Sequence, residues 1–456
     1  FMRGEGCMKR KMTLIVACLL VFGLVLSACS GGGKSGGGST PSGSPGTQTG
    51  DQSKPAQPVK MTLWTFQDQH KNYFEDALQR WNSQHPDKPI DLSIETYPNE
   101  DMHNKLLIAL QSGVGAPDIV DININFFHNF LKGDIQLLEL NDIVEPELDK
   151  FIKSRFDIYS KDGKYYGIDF HVGATVVYYN KEILDKAGVN PDDIKTWNDY
   201  IEAGKKVVAA TGVPMTAFEV TDQRPFWPLI VQSGGDYLGP DGSVTLDSDI
   251  NVQILQKMLD MMTVDKIAID MPGGRTSAEE FFAFMNNGGI ASLIMPSWYM
   301  SRFLDYMPDL KGKIVVRSMP VWEEGQPKSV GIGGTGTAIT KQTKNPELAK
   351  EFLAHAKLSK ESNIRIWEML RFDPIRWDVW DAPELSQPDP YFNNEKIFEV
   401  ILQAKDNLPS PNMGELAAAA QDLVKNQVMF KVLKEKSETP EQALKAAADE
   451  LRKMQR

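Results

Sequence analysis

The segment from Val59 to Asn125 alternates between the two periodicities of regular secondary structure, and this most constrains the fold. VKMTLWTF, which begins at Val59, has the composition of a buried strand, and IDLSIETYP alternates apolar and polar residues as a strand does. Between them, NYFEDALQRWNSQHP repeats apolar residues at helical spacing and ends at Pro86. Trp81 lies on the apolar stripe of this predicted helix, so we expect it in the core.

The same alternation continues with a second helix and a third strand. MHNKLLIALQSG has helical spacing and a terminal glycine, and APDIVDIN has the pattern of a strand. A strand–helix–strand–helix–strand order is typical of an α/β sheet with helices on both faces. The fold class predicted from the sequence is therefore α/β.

Further along, the chain predicts a connection between two domains. KYYGIDFHVGATVVYYNKEILDKAG reads as a strand, a long extended stretch and a helix, and the extended stretch fits a chain that crosses from one domain to another. A chain of 456 residues exceeds one ordinary hydrophobic core, so two domains are expected. PELAKEFLAHAKLS is predicted to be a helix, and the remainder of the chain after residue 359 to be mostly helical.

The N-terminus has the pattern of a targeting segment. Lys9–Lys11 are basic, Met12–Leu26 are almost wholly apolar, and small residues precede Cys29. This resembles the bacterial lipobox, in which the cysteine receives a diacylglycerol. Residues 1–28 are therefore predicted to be a signal peptide and Cys29 the lipidated residue; the alternative is cleavage at another bond beside a chance cysteine.

Residues 29–58 are predicted to be a lipidated cysteine and a disordered tether, because Gly, Ser, Thr, Pro and Gln bury little apolar area. Removing residues 1–28, which carry a net charge of +3, changes the formal charge from −12 to −15. Such an acidic protein is expected to repel nucleic acid and anionic lipid. Membrane contact is therefore expected only through the lipid anchor. No other apolar stretch is long enough to span a membrane.

Several apparent motifs are better explained without cofactors. The run GIGGTG at 331–336 matches a dinucleotide-binding pattern, but the sequence before and after it lacks the required strand and helix. A glycine-rich hinge or ligand-facing loop is the expectation there. Asp121, Asn123 and Asn125 open like a calcium loop, but Phe126 stands where that loop needs glycine. No histidine or cysteine spacing predicts a metal site, so neither metal nor cofactor is expected.

Aromatic residues beside planar polar groups recur at predicted strand ends and in loops. Ligands bind at the carboxyl ends of strands in open α/β sheets. Aromatic rings cover the apolar faces of sugars, and Asp, Asn and Arg bond their hydroxyl groups. Core packing is the competing interpretation for each tryptophan. The candidate ligand-binding residues are Trp64, Gln67, Asp68, His70, Asp121, Asn123, Asn125, Asp169, His171, Trp227, Trp298, Tyr299, Arg302, Gly333, Asp373, Arg376 and Trp377.

From Val59 onward the chain resembles extracellular solute-binding lipoproteins of bacterial ABC importers, in the maltose-binding-like group. The matching stretches are LWTFQDQ, APDIVDIN, VVYYNKEILDKAGVNPDDIKTWNDY, GGIASLIMPSW and NPELAKEFLAHAK. More narrowly, YMPDLKGKI and FDPIRWDVW look like the binding lipoproteins for arabinose and arabino-oligosaccharides of Gram-positive bacteria.

The resemblance implies the two-lobed type II periplasmic-binding-protein fold, with a ligand cleft between the lobes and a hinge of crossing strands. The first lobe would comprise 59–170 and 330–370, and the second 171–329 and 371–456 with the C-terminal helices. It implies no catalysis, so the chain is not expected to be an enzyme.

The family's sugar contacts carry over to some positions. Trp64, Asp68 and Asn125 match first-lobe positions that contact sugar in maltose-binding relatives, and Trp227 and Trp298 match aromatic positions of the second lobe. Asn125 replaces an aspartate, which argues against maltose and is compatible with a different sugar.

His171 lies near a glutamate contact of those relatives, although its spacing to the following YYN differs. The expected function is capture of arabinan-derived arabino-oligosaccharides, or arabinose, by cleft closure. The expected partner is a two-subunit permease with a cytoplasmic ATPase, and the expected state is a monomer on the outer face of the cell membrane. A binding protein for xylo- or malto-oligosaccharides, a secreted glycoside hydrolase and an adhesion lipoprotein are the alternatives.

Overall fold

A computed structural model describes residues 56–405 and 407–455 of the chain. The predicted signal peptide, Cys29 and nearly all of the predicted tether lie outside the described residues. Residues 56–58, which are described, are exposed and have no regular secondary structure. Within the described residues, no helix combines the length and the apolar character needed to cross a membrane.

Eleven strands occur in the described residues. They are β1 (Val59–Thr65), β2 (Ile90–Thr96), β3 (Ile119–Asn123), β4 (Ser160–Lys161), β5 (Lys164–Tyr165), β6 (Thr175–Asn180), β7 (Thr216–Phe218), β8 (Ala268–Asp270), β9 (Ser292–Pro296), β10 (Ile314–Ser318) and β11 (Thr335–Ile339).

The described part of the chain also contains sixteen α-helices. They are α1 (Asp68–Gln84), α2 (Asn99–Ser112), α3 (Ile124–Phe127), α4 (Asn141–Val144), α5 (Ser154–Asp157), α6 (Lys181–Lys186), α7 (Trp197–Thr211), α8 (Trp227–Gln232), α9 (Asp249–Thr263), α10 (Glu279–Asn286), α11 (Met300–Tyr306), α12 (Pro346–Lys357), α13 (Lys360–Leu370), α14 (Ile397–Leu402), α15 (Ala417–Leu423) and α16 (Pro440–Met454). A π-helix covers Val424–Glu435.

The first sheet has the strand order β11-β3-β1-β2, in which β1 runs parallel to β2 and β3, and β11 is antiparallel to β3. This confirms the strand–helix alternation predicted for the start of the body. Helices α1 and α12 pack on one face with Trp81, which is 3% exposed and confirms its predicted core position. Leu106 of α2 and Phe127 belong to the apolar cluster on the other face.

The second sheet is antiparallel, with β6 between β10 and β9. The parallel pair β7-β8 adjoins it, because the Ser292 amide of β9 donates to the Met215 carbonyl at the start of β7. Helices α7, α9, α15 and α16 enclose a separate apolar cluster that includes Trp197, which is fully buried. Both sheets belong to the same compact unit, and the predicted lobe boundaries stay a prediction.

The segment after α13 departs from the predicted helical pattern. Residues 371–396 contain only one short 3-10 helix, Trp377–Val379. Four prolines lie in this stretch, at 374, 383, 388 and 390, and proline removes an amide donor and clashes with the preceding helical turn. The chain therefore continues as an irregular, partly buried segment up to α14.

Candidate functional site

A cavity of about 800 Å³ lies beside the end of β1 in the first sheet. Its walls come from the turn between β1 and α1, from α10 and α11, and from the end of α13. Three residues predicted from the sequence line this main cavity: Gln67, Asp68 and Arg302. Its size is that of a pocket for a small organic ligand.

The position of Gln67 and Asp68 follows from the sheet. Strand β1 ends at Thr65 and α1 begins at Asp68, so the connecting turn lies at the carboxyl end of a parallel strand. Ligands bind at such ends in open α/β sheets because the turns there leave a crevice.

Two side-chain hydrogen bonds join this turn to α11. The Arg302 guanidinium donates from Nη2 to Gln67 Oε1 at 3.0 Å, and the Gln69 amide donates to Asp305 Oδ2 at 2.9 Å. Arg302 and Asp305 are three residues apart and therefore share one face of α11. The cavity thus has planar polar groups on both of its walls.

An aromatic pair forms part of the wall. The rings of Phe282 and Tyr306 are stacked with centroids 4.6 Å apart, and Tyr306 is half exposed. The sequence analysis did not single out either residue. No local signal marked them, because Phe282 is also buried in the core cluster, which Phe281 joins and against which Phe284 packs.

Glu368 and Arg371 at the end of α13 also line the main cavity and were not predicted. No local pattern marks them as ligand-binding residues, because they reach the cavity only through the packing of α13 on α1.

Of the remaining predicted residues, His70 and Asp121 are buried under the end of the first sheet. His70 Nδ1 lies 3.0 Å from Asp121 Oδ2, and the hydroxyls of Thr65 and Thr337 donate to the Asp121 carboxylate at 2.8 and 2.7 Å. Burial acts to raise the pKa of Asp121, but the hydrogen bond with His70 and the other polar contacts of the carboxylate lower it overall. This network ties three strands together.

Asp169 accepts hydrogen bonds from Arg155 Nε at 3.0 Å, from the Tyr159 hydroxyl at 2.9 Å and from the Thr335 amide at 2.9 Å. Arg155 also donates to the carbonyl of Gly333 at 2.6 Å. Asp169 and Arg155 are fully buried, so this pair anchors the glycine-rich run to the first sheet.

Two chain segments cross between the sheets beside this network. The Thr175 amide donates to the Val330 carbonyl at 2.9 Å, and Ala174 forms an antiparallel bridge with Gly331. The run 331–336 leads directly into β11, which begins at Thr335, rather than into a helix, which confirms that it is not a dinucleotide-binding fingerprint.

Asp373 binds the crossing segments. Its carboxylate accepts hydrogen bonds from the amides of Gly173 and Ala174 at 3.0 and 2.9 Å and from the Ser297 hydroxyl at 2.6 Å. Burial raises the pKa of Asp373, although these hydrogen bonds oppose the shift. Burial also lowers the pKa of His171, whose ring centroid lies 4.8 Å from that of Phe372, to about 3.

Trp298 packs directly against the crossing segment. Its indole Nε1 donates to the Ile332 carbonyl at 3.0 Å, and a Cβ atom at Gly333 would lie 3.0 Å from the same nitrogen. Trp298 is partly buried, whereas the neighbouring Tyr299 is buried and donates to the Thr276 carbonyl at 2.7 Å.

Trp64 and Trp227 are both buried at 6% and 5% exposure. The ring of Trp64 packs edge-on against Tyr97, with Lys105 Nζ 4.1 Å from its centroid. Trp227 stacks on Tyr237 with centroids 4.8 Å apart. Their predicted contacts with sugar stay predictions.

Asn123 and Asn125 lie at the end of β3. The Asn123 side-chain oxygen accepts a hydrogen bond from the Asn125 amide at 3.0 Å and so caps the short helix α3. The Asn123 amide donates to His103 Nε2 at 2.9 Å, which requires a neutral acceptor nitrogen, and burial lowers the pKa of His103 to about 4.

Arg376 and Trp377 lie away from the main cavity. Arg376 is buried and pairs with Glu147 and Asp378 at 2.6 and 2.7 Å. Trp377 lines a separate cavity of about 350 Å³, which shares no lining residue with the main one. Within residues 56–405 and 407–455, no group of three or more His, Cys, Asp and Glu side chains is arranged to hold a metal ion.

Comparison with known proteins places the chain among binding proteins. Residues 67–361 match the family model described as bacterial extracellular solute-binding protein. An arabinooligosaccharide-binding protein of Halalkalibacterium halodurans is 48% identical over 86% of this chain and 88% of its own length. A Bacillus subtilis protein of the same name is 44% identical over 98% of this chain and 100% of its own.

A solved structure gives the same fold. The ABC-transporter-associated binding protein from B. animalis subsp. lactis, in complex with β-1,6-galactobiose, superimposes with a TM-score of 0.70 at 23% identity and covers 87% of this chain and 97% of its own. This likeness shows the two-lobed α/β fold predicted from the sequence. The chain therefore belongs to the bacterial extracellular solute-binding protein family.

Proposed function

We propose that this protein is the sugar-capturing component of an ABC importer and that its ligands are arabinan-derived arabino-oligosaccharides or arabinose. The observation that carries the proposal is that two relatives, 48% and 44% identical over most of the chain, are both named for arabinooligosaccharide binding.

The main cavity has the chemistry that a sugar requires. Gln67, Asp68 and Arg302 supply planar hydrogen-bonding groups, and the stacked rings of Phe282 and Tyr306 supply an apolar surface. Sugars present apolar C–H faces and hydroxyl edges, so both kinds of wall contribute to binding.

Binding proceeds by exchange between open and closed arrangements of the lobes, taken as 59–170 with 330–370 and 171–329 with 371–456. Sugar docks on one lobe, and the other then adds hydrogen bonds, which shifts the population toward the closed form. The bonds from Arg302 to Gln67 and from Gln69 to Asp305 are the kind of contact that closure adds. The closed form docks on a two-subunit permease driven by a cytoplasmic ATPase.

The protein acts as a monomer outside the cell of a Gram-positive bacterium, held to the membrane by a diacylglycerol on Cys29 after removal of residues 1–28. It carries out no catalysis and needs no cofactor. The relatives' names, which describe binding rather than turnover, support this role.

A thermal-shift panel tests the proposal, because a ligand that binds only the folded state raises stability by mass action. The mature chain is melted with arabinose, arabinobiose, arabinotriose, xylobiose and maltotriose, and affinities are then measured by calorimetry. We expect the arabino-oligosaccharides to raise Tm by several degrees and the other sugars to change it little.

Other outcomes assign the alternatives. A larger Tm shift with xylobiose or maltotriose would identify xylo- or malto-oligosaccharides as the ligands instead. Release of reducing sugar from arabinan would identify a glycoside hydrolase. Absence of any shift, together with an unchanged radius of gyration in X-ray scattering, would favour an adhesion lipoprotein.

A further inference from the structure

We propose that Trp377 and its adjoining cavity form a second carbohydrate-binding site, which holds one sugar ring outside the main cavity. All nine tryptophans of the chain lie in the described residues, and Trp377 is the one among them with more than a third of its surface exposed, at 51%. Tryptophan is highly buried on average in folded proteins, so an exposed indole that faces a cavity requires an explanation.

The orientation of the Trp377 ring is fixed. Its Nε1 donates to the Asp149 carbonyl at 2.9 Å. The preceding Arg376 is buried and ion-paired with Glu147 and Asp378, and the following turn is a 3-10 helix. The indole is therefore held as a rigid plane before any ligand arrives, which reduces the entropy lost on binding.

The cavity beside this plane matches a sugar ring. Its volume is about 350 Å³, and Trp380, Ile152 and Leu402 form its apolar walls. Asp381 and Lys405 line it with one carboxylate and one ammonium group, both of which are exposed. An aromatic plane with flanking hydrogen-bonding groups is the arrangement that binds the apolar face and the hydroxyls of one sugar residue.

The surroundings favour a sugar over a protein partner. Protein-docking patches are contiguous apolar surfaces of several hundred Å². Ile152 and Leu402 are only partly exposed and Trp380 is buried, so Trp377 stands alone as an exposed large apolar residue in this cavity. The opposite charges of Asp381 and Lys405 also give the site no net attraction for a charged partner.

The class of sugar rests on the proposed function, whereas the site itself rests on Trp377. A surface site for one ring binds weakly, with Kd of about 1–10 mM, because few atoms make contact. Its effect would be to keep an arabino-oligosaccharide or an arabinan chain near the protein before one end enters the main cavity.

Fluorine NMR of the mature chain labelled with 5-fluorotryptophan tests the proposal, with arabinotriose as the probe and Trp377→Phe to assign the resonance. We expect the Trp377 signal to move with half-saturation at about 1–10 mM, well above the arabinotriose concentration at which calorimetry shows the main cavity to be saturated. Asp381→Ala should raise this midpoint at least about threefold, and Asp87→Ala, at an exposed aspartate outside both cavities, should leave it unchanged.

Three results would overturn the second site. One is a Trp377 signal that does not move up to about 50 mM arabinotriose, xylotriose or maltotriose, well above the expected Kd. Another is an equal movement with glycerol, which lacks a sugar ring. The third is an unchanged midpoint in Asp381→Ala. The Trp377 resonance reports on the second site alone. If no arabino-oligosaccharide raised Tm in the thermal-shift panel, the proposed ligand class would be wrong, but the second site would still be judged by this resonance.

Discussion

At the scale of single residues, the packing of the crossing segment at 331–336 depends on a glycine. Gly334 has φ +153°, and a Cβ there would lie 2.6 Å from Arg155 Nη2 and 2.8 Å from Asp169 Oδ2. The dinucleotide-like spacing of GIGGTG is therefore explained by close packing of the backbone against a buried ion pair.

We expect Gly334→Ala to lower the free energy of unfolding by at least about 3 kcal/mol, through backbone strain and overpacking. The matched control is Gly312→Ala, which also has positive φ but no atom within 4 Å of the added Cβ, and should cost about 1–2 kcal/mol. Urea unfolding followed by circular dichroism measures both. Equal losses for the two variants would contradict the packing argument.

Arg302 is the cavity residue whose role in binding is most directly testable. It is partly exposed, and its hydrogen bond to Gln67 spans the main cavity. Arg302→Ala should weaken arabinotriose binding about tenfold, since a charge-assisted hydrogen bond is worth about 1.5–3 kcal/mol, with little change in Tm. Calorimetry gives the affinity, and Arg275→Ala, at an exposed arginine outside this cavity, should bind as the unmodified protein does.

At the scale of elements, the sequence specified helices well where local chemistry fixes their ends. Helix α7 begins with a capping box between Thr196 and Asp199 and ends at Gly212 in the left-handed conformation, and both signals stand in TWNDYIEAGKKVVAATG. The predicted strands of the first sheet were also confirmed, because their apolar composition and alternation are local signals in the sequence. The strand predicted to begin at KYYGID corresponds to β5, whereas its two-residue partner β4 was not distinguished, because such short pairs are formed by tertiary contacts.

Thr196→Ala should destabilise the protein by about 1 kcal/mol, because the Thr196 hydroxyl accepts the Asp199 amide and that donor would lose its partner. Lys206→Ala, on the exposed face of the same helix, serves as the control and should change stability by less than about 0.5 kcal/mol. Chemical denaturation of the three proteins measures the difference. A loss in Lys206→Ala as large as that in Thr196→Ala would argue against the capping contribution.

At the scale of the whole molecule, buried histidines couple folding to pH. Burial lowers the pKa of His171 to about 3 and that of His103 to about 4. The groups that act on His171 from neighbouring segments are Asp169, Arg155, His70 and Lys357. Because the folded pKa is lower than the unfolded value of about 6.5, the unfolded chain takes up a proton below pH 6.5 that the native state refuses.

The free energy of unfolding should therefore keep its full value above pH 6.5 and decrease at lower pH. For His171 alone, the decrease between pH 6.5 and 5 should be about 2 kcal/mol. His171→Gln should remove this part of the slope in plots of unfolding free energy against pH. Phe372→Leu, which removes a ring packed 4.8 Å from His171 but keeps the histidine, should lower stability by a similar amount at every pH. An unchanged slope in His171→Gln would contradict the assignment.

The sequence by itself determined the α/β class, the helix ends, the first sheet and the family, because these follow from local periodicity, capping residues and long motifs read along one chain. Only the tertiary structure decided which polar and aromatic groups share a cavity. Gln67 and Arg302 form a hydrogen bond although they are 235 positions apart in the sequence. Asp121 and Asp169 are instead buried in hydrogen-bond networks, and Trp377 lines a separate cavity. Local patterns carry no information on such contacts, since burial and pairing depend on how distant elements pack.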